Sequence, residues 1–240
     1  MLQYIKNYFR KLFTSWTKEE QLRFIQLLEK KYKCSFVDLG SGDGRLTMKF
    51  AKKCGAEKIY GVDSGSLRKK IKSKKITFIP GNLNKKLPFA SNSQDVVVSH
   101  FSLEHLYNTG LFIKETKRIL KKGGYTVVAT DNLSNWPNVI SLVMGWQPSV
   151  SAYGVANKVL GNPFALEGDF KVEKDDELGE LSHNKVLAYQ MIVDAYHDAG
   201  YKIEKIVGVG YFPFYGIISK LFCFFDKKHS HWLIIKARKI

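Results

Sequence analysis

The first apolar positions, Leu2, Ile5, Phe9, Leu12, Phe13 and Trp16, recur at spacings of three and four, with Lys6, Asn7, Arg10 and Lys11 between them. An α-helix with that period gathers its apolar side chains on one stripe, so the chain is predicted to open with a basic amphipathic helix. Thr17-Lys18-Glu19-Glu20 reads as a capping box and predicts a second helix to about Lys33. The pattern then changes. Short apolar runs at 35–39, 58–63, 76–79, 95–99 and 125–130 alternate with helical stretches at 45–54, 66–72, 110–120 and 185–199, and two more runs follow at 202–209 and 232–237. Such alternation predicts an α/β fold, a largely parallel sheet with helices on both faces.

Between 131 and 183 the periodicity fails. Trp136, Pro137, Trp146, Pro148 and Pro163 are scattered through this stretch, which also holds the acidic run Glu173-Lys174-Asp175-Asp176-Glu177. The division expected is a single domain over 1–240, with a helical extension at 1–33 and an insertion at 131–183 lying as a lid over the acceptor site. For the acidic run itself, a solvated surface loop is an equal reading.

With 240 residues, 45% hydrophobic and 25% charged, the chain has ample material for one packed core, which excludes disordered and collagen-like architectures. The net charge of +16 favours anionic partners: RNA, an acidic membrane surface or a phosphorylated metabolite. A lysine-rich surface that serves solubility alone is the competing reading. Cys34, Cys54 and Cys223 lie far apart with no CxxC pair, so neither a zinc site nor a disulfide framework is readable, no metal is expected, and a reducing compartment suits the chain. Lys6, Arg10 and Lys11 interrupt what would be the apolar core of a signal peptide, so a cytoplasmic location, peripheral at the membrane at most, is expected. The stretch 206–225 approaches the apolarity of a membrane span but contains Gly208, Gly210, Pro213, Gly216 and Lys220, and is expected to be a buried strand followed by a pocket wall.

The first strand runs into Asp38-Leu39-Gly40-Ser41-Gly42-Asp43-Gly44, with a helix opening at about Arg45. Glycines let the backbone turn sharply and approach a ligand, and a helix N-terminus presents unpaired N–H groups. The second strand ends at Asp63, beside Ser64, about 20 residues further on, where a carboxylate accepts ribose hydroxyls. A nucleoside-bearing ligand follows. The dinucleotide fingerprint GxGxxG is not met, because the third glycine arrives one residue early and Asp43 would face a pyrophosphate, which disfavours NAD. A reductase reading also fails at Tyr201 and Lys205, whose spacing needs a helix where a strand is predicted.

Several motifs now stand in order. Val37–Gly44 and Tyr60-Gly61-Val62-Asp63 are followed by Gly81-Asn82-Leu83-Asn84 with Leu87-Pro88-Phe89, then by Asp95-Val96-Val97-Val98-Ser99 with Leu103-Glu104-His105-Leu106, and finally by Arg118-Ile119-Leu120-Lys121-Lys122-Gly123-Gly124. The chain resembles the class I S-adenosylmethionine-dependent methyltransferases, the type 11 small-molecule group in particular. That resemblance implies a Rossmann-like doubly wound seven-stranded sheet, mostly parallel with an antiparallel last strand, and S-adenosyl-L-methionine as cofactor. Residue by residue, it implies cofactor contacts at Asp38, Gly40, Ser41, Gly42, Asp63, Ser64, Asn82, Leu83, Ser99 and His100. For Asp38, organising the loop backbone is an equal reading. Asn82 departs from the family's usual Asp but keeps an acceptor and a donor for adenine.

Methyl transfer from a sulfonium needs chiefly alignment, plus a base when the acceptor must lose its proton. His100, His105 and His183 are the candidate bases by position, His105 being the more readily explained as a structural or cofactor-lining group. Asn132, Trp146 and Tyr211 are the expected acceptor-pocket residues. The sequence after strand four, Ser99-His100-Phe101-Ser102, lacks the Asn/Asp-Pro-Pro-Tyr tetrapeptide that the family uses for planar amines. The reading reached is methyl transfer to a small-molecule, lipid or glycan-type acceptor, with RNA methylation and a non-catalytic cofactor-binding module as alternatives. For the opening helix two fates compete: packing on the domain, against the apolar residues around Tyr211, Phe212, Phe214 and Tyr215, or binding to anionic lipid.

Overall fold

The computed structural model describes residues 2–31, 33–64, 73–148, 153–155, 158–162 and 183–240. The expected helix at 66–72, its Arg68-Lys69-Lys70 cluster and the acidic run at 173–177 lie outside them.

The sheet is built outward from β1 (Cys34–Leu39), buried at all six positions. A strand buried on both faces must be apolar throughout, as this one is apart from Ser35 and Asp38. On one side it pairs in parallel with β2 (Ala56–Asp63), which pairs in parallel with β3 (Thr77–Pro80). On the other it pairs in parallel with β4 (Gln94–His100), and β4 with β5 (Leu120–Asp131). Next to β5 lies β9 (Trp232–Lys239), antiparallel, and beyond it β8 (Tyr201–Val209), also antiparallel to β9. The order is β3-β2-β1-β4-β5-β9-β8, so only the last strand opposes the rest. A separate two-stranded antiparallel ribbon joins β6 (Tyr153–Val155) and β7 (Lys158–Leu160).

Alternation along the strands divides the core. Val37, Leu39 and Val97 point to a face covered by α3 (Thr109–Ile119) and α5 (Tyr189–Asp198), through Phe112, Ile113 and Tyr196. Cys34, Phe36, Val96 and Val98 point to the opposite face, where Phe24 and Leu27 of α1 (Leu2–Leu27) meet Phe50, Ala51 and Cys54 of α2 (Arg45–Cys54). Arg118 closes α3 by binding both carboxylate oxygens of Glu115 at 2.7 Å and the carbonyls of Leu87 and Phe89. Asp95 accepts from the backbone and hydroxyl of Ser35 and from Lys121, a strand-start fastening.

Three elements differ from the sequence expectation. One helix, not two, precedes β1: the chain runs helically through Thr17 because no Gly or Pro breaks it and because Trp16, Glu19 and Glu20 on either side are buried against the domain. Residues 136–143 of the supposedly irregular stretch form α4 (Trp136–Val143), started by the Asn135 side chain accepting from Asn138 N–H. Most notably, 216–225 is a helix, α6 (Gly216–Phe225), with only Ser219 and Cys223 buried, so it is no pocket wall. Gly210, in the left-handed region at φ +76°, ends β8, and the turn through Pro213 and Gly216 restarts the chain as a helix whose apolar residues lie on both sides of Ser219-Lys220.

The described part of α1 packs, as the commoner fate of such stripes predicts. Phe9 stacks on Phe212, Phe13 meets His231 and Trp232, and Trp16 lies against Gly210, where a Cβ would come within 2.7 Å of the indole. Trp16 Nε1–H also donates to the carbonyl of Phe214 at 3.0 Å. Trp16→Ala should therefore lower the unfolding free energy by about 3–5 kcal/mol, the range for emptying a large aromatic site. Urea unfolding followed by circular dichroism measures it, and a loss within experimental error would mean that α1 is not part of the core.

Candidate functional site

The crevice lies where the strand order reverses, at the carboxyl ends of β1, β2 and β4, the place where open α/β sheets bind ligands. β1 ends in a turn made possible by Gly40 (φ +85°) and Gly42 (φ +52°). At Gly40 the absence of a side chain is also a matter of space: a Cβ there would lie 1.9 Å from Ser102 Oγ. Gly40 and Ser41 both donate their N–H to the carbonyl of Val62 on β2, at 2.8 and 3.2 Å. The Gly42 N–H goes to Asp63 Oδ2 at 2.8 Å, and Ser64 N–H to Asp63 Oδ1 at 2.9 Å. The half-buried Asp63 carboxylate thus holds the loop while keeping acceptor capacity, since a carboxylate offers about four lone-pair sites.

Asp43 settles the dinucleotide question geometrically. Its Oδ1 accepts the N–H of Arg45 at 3.0 Å, and its Oδ2 pairs with Arg45 Nε. A carboxylate therefore already sits at the N-terminus of α2, where a pyrophosphate would have to bind and would be repelled.

Asp38 and Ser41 are buried beside this loop. Asp38 Oδ2 accepts from Thr47 Oγ1 of α2 at 2.5 Å while its Oδ1 has no partner, and burial raises its pKa to about 6. The Ser41 hydroxyl is turned onto Gly61 of β2 and is likewise unpartnered, leaving its backbone as the part nearest the turn. Ser99 is fully buried and donates to the Leu39 carbonyl at 2.9 Å, so it braces β4 to β1 instead of facing a pocket. His100 points to the α1 face, with Nε2 2.9 Å from Glu20 Oε2 and its ring among Phe24, Phe50 and Phe101. Asn82 is exposed and closes a turn onto Asn84 N–H, and Leu83 is buried in the core. Sequence reading had no means of finding Glu20 as the His100 partner, 80 residues away.

A second cluster lies at the adjoining strand ends. After β4, residues 103–105 form a single 3-10 turn that begins beside Ser102, the residue crowding Gly40. The carbonyl of Glu104 accepts the N–H groups of Asn184 and Lys185 at 2.9 and 3.0 Å, and Asn184 Nδ2 donates to the His105 carbonyl at 2.8 Å. The chain returning from the insertion is thereby clasped to this turn. It brings the His183 ring to 4.9 Å from that of His105 and His183 Nδ1 to 3.2 Å from Asp131 Oδ2, at the end of β5. Glu104 is buried and accepts from Thr130 Oγ1 at 2.8 Å. Burial and the nearby charge of Asp131 raise its pKa well above the usual range, while burial raises that of Asp131 and His183 counteracts the rise. Burial thus raises both carboxyls, and Asp131 is the one that pairs with His183.

Glu104, His105 and His183 each offer one ligand atom within 4.8 Å of the other two, a grouping that joins two neighbours to a histidine distant in the sequence.

Of the expected acceptor residues, two are committed elsewhere. Asn132 spends its amide on the carbonyls of Lys228 and Ser230 and its oxygen on Ser134. Tyr211 accepts from Trp136 Nε1 at 2.6 Å and donates to Asp226 Oδ2 at 2.7 Å. Trp146 is half-buried, its N–H bonded to the Ser141 carbonyl.

A doubly wound sheet with this loop and strand-end acid defines a nucleoside-binding α/β protein. Residues 37–128 match the family described as a methyltransferase domain. An uncharacterized methyltransferase of Schizosaccharomyces pombe is 31% identical over 125 residues, 46% of this chain and 45% of that protein. YafE of Escherichia coli is 45% identical over 42 residues, 18% of this chain and 20% of that protein. The chain thus spans less than half the length of these curated relatives. Among solved structures, a putative methyltransferase of Bacillus halodurans superposes with a TM-score of 0.61 at 14% identity, covering 92% of this chain and 99% of that one. The Haloferax volcanii complex between the Trm112 methyltransferase activator and a putative methyltransferase gives 0.60 at 14% identity, covering 97% and 93%. The [4+2]-cyclase SpnF gives 0.57 at 14% identity, covering 92% and 80%.

S-adenosylmethionine is the cofactor that this domain implies, and the residues present fit it. The sharp glycine turn at Gly40 and Gly42, the unpartnered buried Asp38 Oδ1 beside it and the acceptor capacity of Asp63 suit a ribose and an amino-acid moiety.

The raised pKa of Asp38 yields a pH test. Because its folded value of about 6 exceeds the ordinary 3.8, folding takes up a proton between them, and stability falls as pH rises through that window. Asp38→Asn removes the ionisable group and retains an acceptor for Thr47. The unliganded variant should melt above the wild type at pH ~7.5 and converge with it near pH ~4. A pH-independent difference in thermal unfolding would show that Asp38 is ionised at no cost.

Proposed function

We propose that the chain transfers the methyl group of S-adenosylmethionine to a hydroxyl of a small-molecule, lipid or glycan-type acceptor, with His183 as the base. The observation that carries this reading is the Asp131–His183 pair, held at 3.2 Å and clasped to the turn above Gly40. When bound, the cofactor supplies an electrophilic methyl on a sulfonium, a good leaving group. Asp63 would accept the ribose hydroxyls, the backbone at Gly40 and Gly42 would border the methionine portion, and Asn82 and Leu83 would border the adenine. Asp131 holds His183 through Nδ1, which directs the other ring nitrogen to take the acceptor's proton. His105 flanks that ring, and Glu104 lies buried beneath the pair, bonded to Thr130. His100, bonded to Glu20, fastens α1 over the crevice instead of acting as a base. A lid role for 131–183 remains part of the proposal.

RNA methylation is the second reading, favoured by the net charge of +16. The likeness to the Haloferax methyltransferase suggests an activator protein as a partner, and the likeness to SpnF suggests other chemistry on the same fold.

Calorimetry should show binding of S-adenosylhomocysteine and none of NAD. Asp63→Ala should weaken it by about 1.5–3 kcal/mol, roughly 10- to 150-fold, through lost charge-assisted hydrogen bonds. Tighter binding of NAD would overturn the cofactor assignment. With methyl-tritiated cofactor and separated lipid, glycan, small-metabolite and RNA fractions, label should enter one of the first three. His183→Ala should then lower kcat about 10²- to 10⁴-fold without changing cofactor affinity. Label in RNA alone would install the second reading, and an unchanged kcat would remove the base.

A further inference from the structure

We propose that α6 is a docking element for an anionic lipid bilayer surface, an interaction independent of the methyl-transfer reading. Among the described helices, α6 carries its apolar side chains outward. Ile217, Phe224 and Phe225 are 82%, 78% and 76% exposed, with Leu221 beside them. The helix is anchored from below, where Ser219 Oγ accepts the N–H of Tyr211 at 2.9 Å, Cys223 is buried, and Phe222 stacks on Tyr211 and Phe214. A soluble chain that leaves such a ridge in water pays for it continuously, and ridges of this size mark contact surfaces.

The charges around the ridge identify its occupant. Lys220 projects from α6 itself, Lys227 and Lys228 follow it directly, and all three are exposed. Arg10 and Lys11 are exposed on α1, which is bound to the turn before α6 through Tyr8 to the Pro213 carbonyl and Trp16 to the Phe214 carbonyl. The adjacent carboxylates are engaged: Asp226 binds Tyr211 and His229, and Glu19 is buried beside Arg23. An apolar ridge ringed by cations matches a bilayer, which offers hydrocarbon depth and anionic headgroups at one surface. A second copy fits badly, because a two-fold contact on this ridge would press Lys220, Lys227 and Lys228 against their own counterparts. The amphipathic α1, packed on the domain, is thus not the inserting element, and it contributes charge beside the helix that is.

Co-sedimentation of the full chain with vesicles of phosphatidylcholine, alone or mixed with phosphatidylserine, tests this. Binding should appear only with phosphatidylserine and weaken with added salt. Phe224→Ser/Phe225→Ser and, separately, Lys220→Glu/Lys227→Glu/Lys228→Glu should each reduce it at least about tenfold. Both variants change exposed side chains, so circular dichroism and S-adenosylhomocysteine affinity should match the wild type. No binding to the mixed vesicles would overturn the proposal, as would binding that survives the Phe224/Phe225 variant. A wild-type dimer in light scattering that this variant dissociates, without vesicle binding, would assign the ridge to a second copy and overturn it equally.

Discussion

The site depends on how β1 is made to stop. Two successive N–H groups, of Gly40 and Ser41, converge on the single carbonyl of Val62, and the chain leaves the sheet through a left-handed residue with Ser102 pressed against it. Any L side chain at Gly40 would meet both the strained dihedral and the Ser102 hydroxyl, so two unrelated constraints select the same residue. Because Ser102 opens the turn that carries Glu104 and His105, the same contact fixes how far the glycine loop stands from the Glu104–His105–His183 cluster. The Ser99 hydroxyl bonded to the Leu39 carbonyl locks the two strands whose ends these elements prolong.

Around that junction the chain tolerates costly buried groups. Asp38, Glu104 and Asp131 are all buried carboxylates with raised pKa values. At the other ends of the strands charges are paired and partly exposed: Glu29, Glu204, Lys236 and Arg238 form a network over Tyr125, whose ring also lies 5.0 Å from the Lys236 ammonium.

The strands, their mostly parallel sense and the glycine loop were legible because each is written in short segments: a buried strand, a glycine spacing, an acid at the next strand end. The glycine spacing disfavours NAD, and Asp43 at the α2 N-terminus gives a physical reason. What escaped was non-local or aperiodic. Thr17-Lys18-Glu19-Glu20 has the form of a helix start, yet Trp16 and Glu20 are held by tertiary partners and the helix runs on. In α6 the polar interval Ser219-Lys220 splits between inside and outside, Ser219 buried and Lys220 exposed, so the apolarity of the run does not reveal which side chains face outward. Ser99, Asn132 and Tyr211 occupy plausible places near the crevice, but their hydrogen bonds go to the scaffold, which no spacing rule discloses.

The clasp between the 104–105 turn and the chain after the insertion has a consequence in time. The Gly42–Asp63 bond closes a loop of 21 residues, whereas Asn184 reaches His105 across 79. The longer closure costs about 1 kcal/mol more in chain entropy and must wait for the intervening strands to assemble. The glycine loop is therefore a local closure, whereas the meeting of His105 and His183 depends on everything folded between them, and a change anywhere in those strands is felt at the histidines before it is felt at the loop.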